Sequence, residues 1–242
     1  MNKETAHNLI KKTGEDYNRI AYHFASTRKY NWPNLTLLLK DVQKSDDFRF
    51  ADLGCGGGRV YELVEDRVDY YGLDLSANLV EIAKKAYPKG RFIVGSVLKT
   101  PYENDFFDLV VSVATLHHIP GKQGRQEALD EVYRILKPGG KVIILNWYFW
   151  DEPKYLKLIF KEAIRILLGK SQLDLGDFYM PWKSAKKDVL AERYFHAWTA
   201  RETRQRLLRA GFDDIKIPPR NETRPDGKKD PNLIAIALKP TK

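Results

Sequence analysis

Residues 51–58 read ADLGCGGG, and the reading of this octapeptide decides the fold. The apolar RFADL that leads into it (49–53) has the composition of a strand, and RVYELVE after it (59–65) begins a helix. Glycines at 54, 56, 57 and 58 therefore occupy a strand-to-helix turn, where they permit a tight bend and close approach of backbone to a ligand. The helix that follows aims its free N–H groups at the same place. Asp74 ends the next strand, the position from which a carboxylate can accept both hydroxyls of a ribose. An adenosine-type cofactor is the expected ligand.

The detail of the loop argues against a dinucleotide. That fingerprint needs glycine where the helix packs against the strand, and this chain has the bulky Arg59 there. A Tyr133-x-x-x-Lys137 pair has the spacing used by short-chain dehydrogenases, yet it lies on an amphipathic helix that ends at once, so a helix-surface pair is the expectation. Cys55, the single cysteine, excludes an internal disulfide framework and any multi-cysteine metal site, and reads as a small loop filler. No metal ligand set is expected.

Strand and helix signals alternate after about residue 48, which predicts a doubly wound α/β fold with a mainly parallel sheet. Strands are expected at RFADL, VDYYGLD, RFIVGS, FDLVVSVA and KVIILNW. Between them lie RVYELVE, SANLVEIAKKAY with Ser76 as N-cap, and RQEALDEVYRILK stopped by Pro138-Gly139-Gly140. DDIKI and LIAIALK, flanking the polar NETRPDGKKDPN loop, predict an antiparallel edge hairpin. One domain over 1–242 is expected, with an N-terminal helical cap at 1–47, a cofactor-binding core at 48–148, a lid insertion at 149–198 and a C-terminal helix with edge strands at 199–242. The balance of 41 Lys+Arg against 32 Asp+Glu, a net +9, favours an anionic partner. No apolar leader or membrane span is read, so a cytosolic or nuclear protein is expected, without a membrane partner.

ADLGCGGG, Asp74, FDLVVSVATLHHI and EVYRILKPGGKVII, in this order from about 50 to 148, resemble the class I S-adenosylmethionine-dependent methyltransferases. The resemblance implies a seven-stranded Rossmann-like methyltransferase sheet with a helical lid, and S-adenosylmethionine as cofactor. It implies further that Gly54 and Gly56 line the methionine moiety, Asp74 holds the ribose, Leu75 packs on the adenine, Ser96 and Val97 meet the adenine edge, and Ala114 borders the amino-acid portion. Asp52 can then face the cationic methionine end. Ser96 stands where the family often has Asp.

The flanks resemble one subfamily, the tRNA methyltransferases that esterify wobble 5-carboxymethyluridine: YHFASTRKYNWPN, LHHIP, ILNW and YMPWKS…ERYFHAW carry the likeness. A carboxylate acceptor is already ionised at neutral pH and needs alignment and charge stabilisation rather than a general base. Arg28, His118, Trp147, Arg193 and His196 are the candidate catalytic residues on that reading. Arg28 is expected on a carboxylate, His118 and His196 on the acceptor uridine, Trp147 stacked on the base, and Arg193 on the acidic substituent or a phosphate. His118 is preferred to His117 on the expectation that the segment is extended. Lys154, Lys157, Lys161 and Arg165 of the lid form a candidate phosphate-contacting stripe, with Leu158, Ile159, Ala163, Ile166 and Leu167 offering apolar faces. The subfamily implies tRNA as partner and a small zinc-containing activator protein. Two other functions fit the sequence: a methyltransferase for a small carboxylic acid or amine, and a non-catalytic adapter binding tRNA or protein.

Overall fold

The computed structural model describes residues 1–27, 32–40, 42, 45, 47–184, 186–219 and 232–241. The chain opens with α1 (Lys3–Thr27) and α2 (Pro33–Leu39). It then alternates through β1 (Arg49–Leu53), α3 (Tyr61–Val64), β2 (Asp69–Asp74), α4 (Ala77–Ala86), β3 (Arg91–Val94), β4 (Phe107–Val113), α5 (Lys122–Ile135) and β5 (Leu136–Trp147). The lid region contains α6 (Pro153–Leu167), β6 (Asp177–Lys183) and β7 (Val189–His196), and α7 (Ala200–Ala210), β8 (Asp213–Lys216) and β9 (Asn232–Leu238) follow.

Seven strands form one sheet in the order β3-β2-β1-β4-β5-β9-β8. The pairs from β3 through β5 are parallel, and β9 runs antiparallel to both β5 and β8. Strand order reverses between β1 and β4, which opens a crevice beyond their carboxyl ends. Helices cover both faces, so Phe50, Ala51 and Leu53 of β1 are all buried, as is the charged Asp52 between them. Ser76 caps α4 as expected, its Oγ accepting from the Leu79 N–H at 3.2 Å. Ala128, Leu129, Val132 and Ile135 form the buried row of α5.

Two details, the end of α5 and the packing of α6, depart from the sequence reading. α5 ends at Ile135, and Leu136 already pairs with Phe107, so Pro138-Gly139-Gly140 belongs to the start of β5 instead of terminating the helix. The antiparallel pair β8 and β9 lies at the edge of the sheet as expected, with β9 against β5 and β8 outermost. On α6, Ile159 packs with Phe149, Phe178 and Phe195, whereas Leu167 is exposed with Phe160 and Ile164. The hairpin covers only one of the helix's two apolar arcs. Lys154, Lys157, Lys161 and Arg165 are exposed beside the uncovered arc.

β6 and β7 pair antiparallel as a separate two-stranded sheet, and α1 packs against both α4 and β7. That placement sets α1 across the mouth of the main-sheet crevice, with the hairpin as a side wall. Among the described residues no helix is long and apolar enough to cross a membrane.

Candidate active site

A cavity of about 340 Å³ lies at the carboxyl ends of β1, β2, β4 and β5, with α1 over it and β7 beside it. Its cofactor side is built by the glycine turn. Gly54 has φ +81°, and a Cβ there would fall 2.0 Å from Thr115 Oγ1, so glycine is demanded by both conformation and the close turn after β4. The Gly56 N–H donates to Asp74 Oδ2 at 2.8 Å, while Asp74 Oδ1 accepts from the Ser76 N–H at 2.8 Å. Burial pushes the Asp74 carboxyl up, and these backbone donors oppose the rise.

Asp52 is fully buried on the same wall. Tyr70 O–H donates to its Oδ2 at 2.6 Å, and Oδ1 has no partner. Burial, reinforced by Asp74 and opposed by the Tyr70 hydrogen bond and Arg59, raises its carboxyl to about 7. A buried, unpartnered carboxylate oxygen beside a cavity suits a cationic ligand group. Leu75, Ser96, Val97 and Ala114 complete this side. Arg59, the residue that argued against a dinucleotide, lies with its guanidinium 4.1 Å over the Trp32 ring. Burial, then Asp74 and Asp52, pushes the Cys55 thiol well up, in keeping with an inert filler.

The other side is aromatic and basic. Leu116–His118 is a 3₁₀ turn, not an extended segment, so successive side chains do not alternate and both His117 and His118 line the cavity. His117 Nδ1 accepts from the Trp147 N–H at 3.3 Å. His118 Nδ1 lies 2.8 Å from the Tyr194 carbonyl oxygen and its Nε2 lies 2.7 Å from Tyr17 Oη, so both ring nitrogens are engaged. Burial, then Arg193, lowers His118 to about 3, and burial, then His118, Arg193 and His196, lowers His117 well below its usual range. Both rings are neutral near pH 7. Trp147 lines the cavity and stacks on Phe195 at 5.9 Å.

Arg193 is only 4% exposed and lines the cavity. Its Nη1 donates to Tyr17 Oη at 3.2 Å, and its guanidinium lies 4.7 Å over Trp182 and 5.0 Å over Phe195. Its Nε is buried without a hydrogen-bond partner, and no carboxylate among the described residues pairs with it.

His196 is not brought to the cavity. Its Nδ1 lies 2.6 Å from Asp177 Oδ1 and its Nε2 2.9 Å from Glu202 Oε2, which uses both nitrogens inside a buried ionic cluster with Arg125 and Arg206. Alternation along β7 separates it from Arg193 by an odd number of residues, so the two point to opposite faces of the hairpin. Arg28 lies outside the described residues. Tyr133 and Lys137 are away from the cavity, Tyr133 against Phe212 and Lys137 on Asp108 at 2.7 Å. Sequence reasoning passed over Tyr17, an aromatic on a long amphipathic helix; its one signal is that Phe24 follows seven residues later on the same face. Among the described residues no cluster of three or more His, Cys, Asp or Glu could hold a metal ion.

A reversed parallel sheet with a glycine turn, a strand-end aspartate and no phosphate-type fingerprint is the architecture of a class I methyltransferase. The methyltransferase domain family matches residues 51–144. The chain is 31% identical over 182 residues to an Encephalitozoon cuniculi protein named as a methyltransferase, covering 75% of this chain and 78% of the relative. It is 29% identical over 213 residues to the tRNA (carboxymethyluridine(34)-5-O)-methyltransferase of Schizosaccharomyces pombe, covering 81% and 86%. It is 35% identical over 153 residues to the enzyme of that name, ALKBH8, of Mus musculus, covering 63% of this chain and 22% of the relative. The chain thus spans less than a third of the length of several of the curated relatives it matches.

Among solved structures, an S-adenosylmethionine-dependent methyltransferase from Methanosarcina mazei superposes with TM-score 0.68 at 22% identity, covering 88% of this chain and 99% of that one. A Haloferax volcanii methyltransferase in complex with the Trm112 methyltransferase activator superposes with TM-score 0.63 at 19% identity, covering 94% and 97%. The chain belongs to the methyltransferases and has the fold of the S-adenosylmethionine-dependent members, and its relatives include tRNA (carboxymethyluridine(34)-5-O)-methyltransferases.

Proposed function

We propose that this protein methylates the carboxylate of wobble 5-carboxymethyluridine in tRNA, forming the methyl ester. The observation that carries the reading is Arg193, a buried guanidinium on the cavity wall with an unpartnered Nε and no carboxylate among the described residues. A buried cation of this kind is costly unless an anion completes it, and a guanidinium matches a carboxylate in shape as well as charge. Relatives named for the same reaction support the substrate, and the net charge of +9 suits a polyanion.

The residues fit the cofactor. Asp74 would hold the ribose, the Gly54–Gly56 turn the methionine portion, Ser96 and Val97 the adenine edge, and the bare Oδ1 of Asp52 offers a counter-charge to a cation. When bound, S-adenosylmethionine supplies an electrophilic methyl group on sulfur, which a carboxylate oxygen takes as the carbon–sulfur bond breaks. The acceptor is ionised at neutral pH, so no base is required, and the neutral His117 and His118 are consistent with that. Arg193 would hold the acceptor's charge, Trp147 would present a face to the base, and the aromatic wall of Phe195, Trp147 and Trp182 would limit water around the reacting oxygen. Lys154, Lys157, Lys161 and Arg165 would contact phosphates from the outer face of α6.

A small zinc-containing activator protein is the second proposed partner, in line with the activator complex of the Haloferax protein. The test is transfer of labelled methyl to tRNA carrying wobble 5-carboxymethyluridine and to tRNA with plain uridine there, with and without a candidate activator. Alkali-labile label in the first tRNA alone supports the ester. Label that survives alkali, or equal label in both tRNAs, overturns it.

A further inference from the structure

Tyr17 of α1 joins three parts of the cavity wall, and the direction of its hydrogen bonds can be assigned. His118 Nδ1 lies 2.8 Å from a carbonyl oxygen, that of Tyr194, which can only accept, so Nδ1 carries the hydrogen. The ring is neutral, which leaves Nε2 as a bare lone pair. Tyr17 O–H therefore donates to Nε2 at 2.7 Å, and a lone pair on the same oxygen accepts from Arg193 Nη1 at 3.2 Å. The order of donation is Arg193 to Tyr17 to His118 to the Tyr194 carbonyl.

This relay holds the guanidinium at Nη1, while Nε is buried without a hydrogen-bond partner. Trp182 and Phe195 fix the plane of the guanidinium, and Tyr17 fixes its rotation within that plane. Tyr17 is itself held in register by the next residue. Asn18 Oδ1 accepts from Ser76 Oγ at 2.8 Å and from the Asn78 N–H at 3.1 Å, and the Asn18 carbonyl accepts from Asn78 Nδ2 at 2.9 Å. Ser76 and Asn78 lie two and four residues after Asp74, the carboxylate assigned to the ribose. Two consecutive residues of α1 thus tie the acceptor side of the cavity to its cofactor side.

We propose that Tyr17 is a positioning residue for the methyl acceptor: acting through Arg193, it fixes the guanidinium edge against which the acceptor carboxylate aligns. The inference rests on the carboxylate-acceptor reading above. Loss of the hydroxyl leaves the positive charge of Arg193 in place, so the effect falls on alignment more than on binding.

The test compares Tyr17→Phe, Arg193→Lys and the double variant. Phe keeps the ring contacts with Phe24 and His118 and removes only the hydroxyl. Expected for Tyr17→Phe is a fall in kcat of about 10- to 100-fold on wobble-carboxymethylated tRNA, with KM and the Kd for S-adenosylhomocysteine changed less than about twofold. In the Arg193→Lys background the same substitution should cost less than about twofold more, because its route is already cut. An equal loss in both backgrounds, or unchanged kcat, overturns the proposal.

A spectroscopic arm reads the hold on Arg193 without any acceptor. The ¹⁵N–¹H resonances of the Arg193 Nη groups, assigned by their loss in Arg193→Lys, should be resolved and protected from solvent exchange in the native protein, where Nη1 donates to Tyr17, and averaged with solvent in Tyr17→Phe. Unchanged protection overturns the Tyr17 proposal. Protection lost as expected, together with no transfer by the native protein to carboxymethylated tRNA with activator present, supports the hold by Tyr17 and overturns the tRNA reading instead.

Discussion

Of the arginines buried among the described residues, Arg125 and Arg193 have opposite surroundings. Arg125 on α5 faces Asp174 at 3.3 Å, Asp177 at 3.6 Å and Glu202 at 3.6 Å. Arg193 on β7 faces a phenol, two aromatic faces and a cavity, with no carboxylate among the described residues. The histidines divide the same way: His196 is consumed by Asp177 and Glu202, while His117 and His118 are neutral rings on the cavity wall. A buried charge requires compensation. Where the chain supplies it, the cluster is structure; where it does not, a ligand is the remaining source.

The comparison breaks first at Arg125. Arg125→Met strands three carboxylates, and the expected loss of folding stability is about 3–5 kcal/mol by thermal or denaturant unfolding, with cofactor affinity kept in the folded fraction. A Tm unchanged by the substitution would remove the distinction between the two sites. Arg193→Met should do the reverse, cutting methyl transfer by about 100-fold or more while leaving Tm near native, because the residue meets no internal counter-charge to strand.

Acid sharpens the structural half. Glu202 is pushed up by burial but pulled down further by His196, Arg206 and Arg125, to about 2. Its folded pKa is depressed, so its contribution to stability is present above the ordinary carboxylate range and is lost as pH falls from about 4.3 toward about 2. Glu202→Gln should flatten the stability profile across that window, measured by unfolding at stepped pH.

Asp52 has the opposite sign. Burial first, then Asp74, raises its carboxyl to about 7, so ionising it costs stability as pH rises from the unfolded carboxylate value through 7. A cationic cofactor favours the ionised form. Affinity for S-adenosylmethionine should therefore rise by up to about tenfold per pH unit below 7 and level off above it, and Asp52→Asn should flatten that slope in calorimetry. S-adenosylhomocysteine, which lacks the sulfonium charge, should show a weaker slope. The smallest effect is expected on α6, where Lys157→Ala with Lys161→Ala should weaken tRNA binding about two- to threefold at moderate salt and reduce its salt dependence. No change would leave those lysines as a solvated helix face.

Much of the fold was readable along the chain because its signals are local. The five parallel strands, the Ser76 cap and the glycine turn each depend on residues within a few positions of one another, and hydrogen bonds such as Leu79 N–H to Ser76 Oγ close over short spans. The element boundaries that differed, at Pro138 and along His117-His118, were decided by pairing and packing. Leu136 is drawn into the sheet by Phe107, and the histidines follow a tight turn after β4.

Sequence by itself determined the strand–glycine–helix cofactor turn, Asp74 at the end of the next strand, and the excess of positive charge. It also marked ERYFHAW as a segment rich in candidate side chains. Which of those side chains faces a ligand was decided only in three dimensions. Arg193 meets Tyr17 across 176 residues of sequence, and His196 meets Asp177 across the hairpin. Composition gives the two residues the same appearance, because burial and the identity of a charged group's partner are non-local quantities that exist only once distant elements have packed.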